Sequence, residues 1–293
     1  MKSGSSRRGV DTTQGFSGNG HGGPNRRTLD AWQRTAESCA RRAGWLLRRL
    51  RAERVVVTRD RKRDVKLVAD RASEAVILDG LRRATPCGLY GEERGSVRAA
   101  LQPGGWRWLI DPLDGSLNYL RGVPICGVSI GLWNDAGPVL GVVYDFNRDE
   151  LFAGRVGAGA SVNGERITVS RVDDRARATL ATGFPAAMAL SAKPLALFMQ
   201  QARQYRKLRL FGSAALSLCY VAAGRVDAYY EQDIRWWDVA GGLAIVEAAG
   251  GRAIWRMRQS DGPLTVLATN SRLPMALPGS GRTTTRQRVT LHG

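Results

Sequence analysis

Histidine is nearly missing from this chain. Only His21 and His292 occur in 293 residues, both in polar end segments. Acid–base catalysis by imidazole is therefore excluded as a working hypothesis. Cys39, Cys87, Cys126 and Cys219 are scattered and form no CxxC pair, so a zinc site of cysteine and histidine is excluded too. The thiols read as reduced and buried. No apolar run approaches the roughly 18 residues of a membrane span, and the first 27 residues lack the apolar core of a secretory signal. A cytoplasmic protein without membrane contact is expected. Lysine is also scarce: the formal charge of +18 is carried almost wholly by arginine. The arginines are spread along the chain, as on a solvated surface, and leave weak nucleic-acid binding open. Any enzyme chemistry must come from carboxylates, hydroxyls or metal ions.

What remains is a 43% hydrophobic chain long enough for one large or two smaller cores. Residues 1–28 are Gly-, Ser- and Arg-rich and read as a disordered basic tail. Apolar positions from Trp32 to Leu50 recur every three or four residues, which predicts a helix over 29–54. A strand beginning at Val55, a charged loop over 58–64 and a second helix over 70–83, capped by Asp70, follow. "WRWLID", "GVSIGLW" and "PVLGVVYDF" read as strands, then short strands run to Ser170. A boundary near residues 171–174 separates an α+β part, 29–172, from an α/β part, 173–275. In the second part strands alternate with helices over 192–205, 213–223 and 238–249. Residues 276–293 read as a second disordered tail.

Three acidic turns border apolar elements. Glu92 lies in "YGEERG". Asp111 and Asp114 follow a buried strand in "LIDPLDGSLNYL". Asp238 opens the apolar stretch "VAGGLAIVEAAGG", where it also reads as a helix cap. Ionised carboxylates beside a core are costly unless paired or bound to a cation. Hard divalent ions such as magnesium prefer such oxygen ligands. Pro112 and Gly115 hold the turn between the aspartates, the Leu113 carbonyl offers another oxygen, and the amides of Gly115 and Ser116 suit an anion. Together these features point to a metal-dependent phosphate site.

"GEE", "WLIDPLDGSLNYLRGVP" and "WWDVAGGLAIVEAAGG", in that order and spacing, resemble the inositol monophosphatase family of magnesium-dependent, lithium-sensitive phosphatases. "DVKLVADRASE", "GASVNGERITVS" and "FGSAALSLCYVAAGRVDAYYE" are similar to softer family segments. The resemblance covers about residues 29–273. It implies a layered αβαβα sandwich of the inositol monophosphatase and fructose-1,6-bisphosphatase type, and a homodimer. It implies two or three Mg2+ ions held by Glu92, Asp111, the Leu113 carbonyl, Asp114 and Asp238. By the same resemblance Glu92, Asp70 and Ser116 are catalytic, with Asp70 orienting the Ser116 hydroxyl toward a water. Gly115, Ser116, Gly212, Ser213, Ala214, Glu231 and Asp238 would contact the substrate.

The chain departs from the family pattern in several places. Ser116 stands where relatives have threonine, which keeps the hydroxyl but loses β-branching. The threonines common before Asp70 are missing from "VKLVA". Arg121 replaces a histidine of many inositol-specific members, and Arg235 adds a guanidinium before Trp237, which would favour a second anionic group on the substrate. The expected activity is hydrolysis of a sugar or polyol phosphate, myo-inositol 1-phosphate first. Fructose 1,6-bisphosphate or another sugar phosphate is the alternative within the superfamily, and an RNA- or transcription-associated binding role is the alternative outside it.

Overall fold

The computed structural model describes residues 23–53, 57–61, 64–99, 104–184, 191–257 and 262–275. Most of both tails lies outside these residues. The first helix, α1 (Arg26–Ala52), starts inside the segment expected to be tail, because the Asn25 side chain accepts a hydrogen bond from the Thr28 amide at 3.0 Å. Trp32, Ala36, Cys39, Ala40, Ala43 and Leu47 form its buried stripe.

The charged segment expected as a loop instead forms a hairpin. Strands β1 (Val57–Arg61) and β2 (Asp64–Leu67) pair antiparallel, so ladder hydrogen bonds satisfy backbone groups that the run of charges alone does not. Helix α2 (Val68–Ala84) follows directly. Leu67 is its N-cap, and Asp70 stands in its first turn rather than at the cap.

The next nine elements are β3 (Gly88–Gly91), β4 (Gly95–Arg98), β5 (Arg107–Asp114), α3 (Ser116–Arg121), β6 (Gly127–Asn134), β7 (Gly137–Asp145), β8 (Glu150–Arg155), β9 (Gly159–Val162) and β10 (Glu165–Ile167). Their strands form an eight-stranded sheet, ordered β10-β9-β8-β7-β6-β5-β3-β4. It is antiparallel except where β3 runs parallel to β5. Continuous burial along β5 reflects cover on both faces. The second half contributes β11 (Thr179–Thr182), α4 (Ala192–Ala202), β12 (Lys207–Arg209), α5 (Ala214–Ala222), β13 (Ala228–Ile234), α6 (Trp236–Ala248), β14 (Arg252–Met257) and β15 (Leu264–Thr269). These strands make a five-stranded mixed sheet, β12-β11-β13-β15-β14.

Helices α1 and α2 pack on one face of the large sheet, and α5 and α6 fill the space between the two sheets. The chain moves outward from β11 to β12 through α4 and back to β13 through α5. Right-handed crossovers made in opposite directions put these two helices on opposite faces. With α5 inside, α4 lies outside, which completes the layered α+β sandwich expected from the sequence. On that outer face, Tyr205 packs against a small cluster containing Leu180, Tyr230 and Leu267.

Close contact between the layers depends on glycine. A β-carbon on Gly141 of β7 would lie 2.0 Å from the carbonyl oxygen of Gly241 in α6, and one on Gly241 would lie 2.7 Å from Ser129 Oγ. The backbone of α6 therefore rests almost directly on the large sheet, and this contact fixes the height of the Asp238 turn.

Candidate metal centre

Parallel pairing of β3 with β5 sets the first part of the centre. Gly91 pairs with Ile110, and the Glu92 amide continues the ladder by donating to the Ile110 carbonyl at 3.1 Å. Glu92 thus leaves the sheet beside Asp111. Its turn is fastened from α2: the buried Glu74 carboxylate accepts from the Glu93 amide at 3.0 Å, and the Arg94 guanidinium lies 3.3 Å from it.

Strand β5 does not stop at Asp111 as the sequence suggested. It runs to Asp114, with a register irregularity between Asp111 and Asp114 against β6. Proline at 112 cannot donate to the ladder. Instead the Leu113 amide donates back to Asp111 Oδ1 at 3.0 Å, and Ser73 Oγ donates to the Pro112 carbonyl at 2.7 Å. Gly115 then takes φ +84°, left-handed backbone open to glycine, and starts α3. A β-carbon there would also meet the Ile125 carbonyl at 2.9 Å.

Asp238 arrives from the other half of the chain. It stands in the first turn of α6, not at the cap that the sequence allowed, and its Oδ2 accepts from the Arg235 amide at 3.0 Å. Asp70 holds the matching position in α2 and accepts from the Leu67 amide. Carboxylate oxygens of Glu92, Asp111 and Asp238 all lie within 4.8 Å of one another. Asp114 is anchored at the start of α5, where Ser213 Oγ donates to it and the Ala214 and Ala215 amides lie 3.2 and 2.9 Å away.

Crowded carboxylates out of water resist ionisation. Burial, then Glu92, Asp114 and Asp238, push the Asp111 pKa well up. Asp238 keeps part of its surface open, yet desolvation and its acidic neighbours raise it as well. Burial raises Asp114 to about 6 against the pull of its three donors, and raises Asp70 to about 7. A divalent cation would reverse this logic by favouring every ionised form. Among the described residues the donor set is all oxygen, as hard cations prefer, with no histidine or cysteine in it. The arrangement thus fits a divalent ion.

The profile of the inositol monophosphatase family matches residues 28–282. The chain belongs to the inositol monophosphatase family. It is 42% identical to a Xylella fastidiosa protein named Nus factor SuhB, covering 72% of this chain and 77% of that one. It is 36% identical to the inositol-1-monophosphatase of Rhizobium meliloti, over 62% of this chain and 69% of the relative. The solved inositol monophosphatase of Anabaena superposes with a TM-score of 0.71 at 36% identity, covering 83% of this chain and 91% of the other.

In this inositol monophosphatase homologue the acidic residues singled out from sequence do converge. Ser116 Oγ, at the start of α3, lies 3.1 Å from Asp70 Oδ1 and 3.0 Å from the Leu113 carbonyl oxygen. The polar groups of Ser213 and Ala214 are directed at Asp114. Gly212 adopts φ +72° beside the Asn118 amide. Glu231 is buried, accepts from the Tyr229 hydroxyl at 2.7 Å, and burial raises its pKa to about 7. Arg121, Arg235 and Leu117 are exposed.

Two residues of the centre escaped the sequence reading. Glu74, four residues after Asp70, shares its helix face, and that spacing was the available signal. Lys66 lies in β2, and its ammonium pairs with both Glu92 and Glu93, the latter at 2.6 Å. Burial works against that ammonium, but the two glutamates outweigh it and hold the lysine pKa above its usual value. Its only signal was its rarity in a chain that otherwise uses arginine.

Proposed function

We propose that this protein is a magnesium-dependent phosphomonoesterase that hydrolyses a sugar or polyol phosphate, with myo-inositol 1-phosphate as the leading substrate. The convergence of Glu92, Asp111 and Asp238 from three separate elements carries the reading. Magnesium ions held by Glu92, Asp111, the Leu113 carbonyl, Asp114 and Asp238 would acidify water and neutralise phosphate charge. Asp70 holds the Ser116 hydroxyl by hydrogen bond, so that the serine oxygen accepts from a water and orients it, with Glu92 as the nearby base. The Gly115 and Ser116 amides, opening α3, bind phosphate oxygens. Gly212, Ser213 and Ala214 shape the far wall, and Glu231 accepts hydrogen bonds from substrate hydroxyls. Exposed Arg235 at the rim favours substrates with a second anionic group, which keeps fructose 1,6-bisphosphate as the alternative.

Phosphate release from inositol 1-phosphate, fructose 1,6-bisphosphate, histidinol phosphate and phosphoadenosine phosphate, with and without magnesium, tests this reading. Asp111→Asn should abolish magnesium-dependent release on every substrate. Unchanged release in that variant would overturn the assignment. Homodimerisation, proposed with the family, is checked by light scattering.

A second reading is association with a transcription complex, alone or beside phosphatase activity. The net charge of +18 and the Nus factor name carried by a relative favour it. Retention of RNA at physiological salt would support it, and loss of all binding there would remove it.

A further inference from the structure

We infer that Lys66 is a resident cation of the metal centre: its ammonium takes the place that an additional divalent ion would otherwise hold beside Glu92. The inference rests on the phosphatase reading of the centre. Lys66 lies in β2 with its carbonyl bonded by Thr58 Oγ1 at 3.1 Å, and the next residue, Leu67, is fixed through its amide by Asp70. The lysine backbone is therefore held from both sides, and its side chain, 16% exposed, is directed between Glu92 and Glu93. Glu92 also belongs to the triad with Asp111 and Asp238, so one carboxylate faces the ammonium and the proposed ions alike.

The contact has a consequence for charge. Lys66 places a fixed positive charge directly against Glu92, a carboxylate of the acidic triad, and against Glu93. A third ion near Glu92 would meet a fixed positive charge at contact distance from its own ligand, and at close range that repulsion is large. Before phosphate enters, the centre should saturate with two divalent ions.

Calorimetric titrations with Mg2+ and electron-spin titrations with Mn2+ of the metal-free full chain, at fixed ionic strength and without phosphate, test this directly. The wild type should take up two ions. Lys66→Gln and Lys66→Met should gain a further binding step, or bind the weakest ion roughly tenfold more tightly or better. Lys66→Arg, which keeps the charge, should match the wild type. Circular dichroism confirms that each variant is folded, and either neutral variant suffices if the other is not. Equal stoichiometry and affinity in the wild type and a folded neutral variant would overturn the inference while leaving the phosphatase reading intact. Failure of either metal ion to bind any folded protein would overturn both.

Discussion

Ser116 Oγ donates to Asp70 Oδ1 across 3.1 Å and so joins the first turn of α3 to the first turn of α2. A hydroxyl has one proton, and the Leu113 carbonyl oxygen is a competing acceptor, slightly closer at 3.0 Å. When Asp70 is ionised it accepts the hydrogen bond from that hydroxyl. The Leu113 carbonyl then keeps both of its lone pairs, and the serine oxygen can still accept a further hydrogen bond.

Loss of this link should slow turnover without removing substrate binding. Ser116→Ala and Asp70→Asn should each lower kcat by roughly 10²–10⁴-fold, with KM changed much less. The double variant should be little worse than either single one, because both act through one hydrogen bond. Ser116→Thr should remain active. Additive losses in steady-state kinetics would separate the two residues.

The pH dependence of stability should report the acidic cluster. Asp114 titrates near 6 and Asp70 near 7 in the folded protein, against about 3.9 for an unfolded aspartate. The folded state therefore holds these protons more tightly. The stabilisation they bring is complete below about pH 4 and is lost as pH rises through 6 to 7. Asp114, a proposed magnesium ligand, must be ionised to bind the metal, so the rise in Tm on adding magnesium to metal-free protein should grow across that window. Differential scanning fluorimetry with chelator and with magnesium measures the difference, and a rise that is largest at pH 5 would contradict it.

Glu231 should matter for polyol substrates and little for simple ones. It is buried against Tyr229, and a β-carbon on neighbouring Gly183 would come within 2.6 Å of its carboxylate. Glu231→Gln keeps the shape but weakens acceptance from hydroxyls. KM for inositol 1-phosphate should rise roughly tenfold, while kinetics on an aryl phosphate stay near wild type. Equal effects on both substrates would remove the assigned contact.

Gly141→Ala should destabilise the fold and disturb the centre at a distance. The added methyl overlaps the Gly241 carbonyl and lifts α6 from the sheet. A loss of about 1–3 kcal/mol is expected in urea unfolding. Because α6 carries Asp238, metal affinity measured by calorimetry should fall as well. Unchanged stability would mean that the layers yield more easily than their spacing indicates.

Much of this molecule was legible along the chain. The Trp32-to-Leu50 periodicity found α1, and the alternation of types in the second half found α4, α5 and α6, because amphipathic spacing is a local property. Local charge was less informative. The run from Thr58 to Asp64 read as a loop, yet it pairs as a hairpin, since strand pairing depends on the partner backbone and not on side-chain polarity. Asp70 and Asp238 read as caps and stand instead at the third residue of the first turn of their helices. A carboxylate near a helix start suits either position, and only the entry of the preceding chain decides between them.

The sequence alone determined the chemistry available here: oxygen ligands, one hydroxyl and no usable imidazole, arranged in three acidic turns whose order marks the family. Only the tertiary structure decided which of these groups meet. Glu92, Asp111 and Asp238 repel one another and share no helical or strand period, so no local pattern brings them together. They converge because β3 lies parallel to β5 and because α6 sits flush on the large sheet through Gly141 and Gly241. Burial of the layers on both sides supplies the free energy that holds like charges in place. The same packing brought Lys66 against Glu92, a contact that required two distant segments to be folded before it existed.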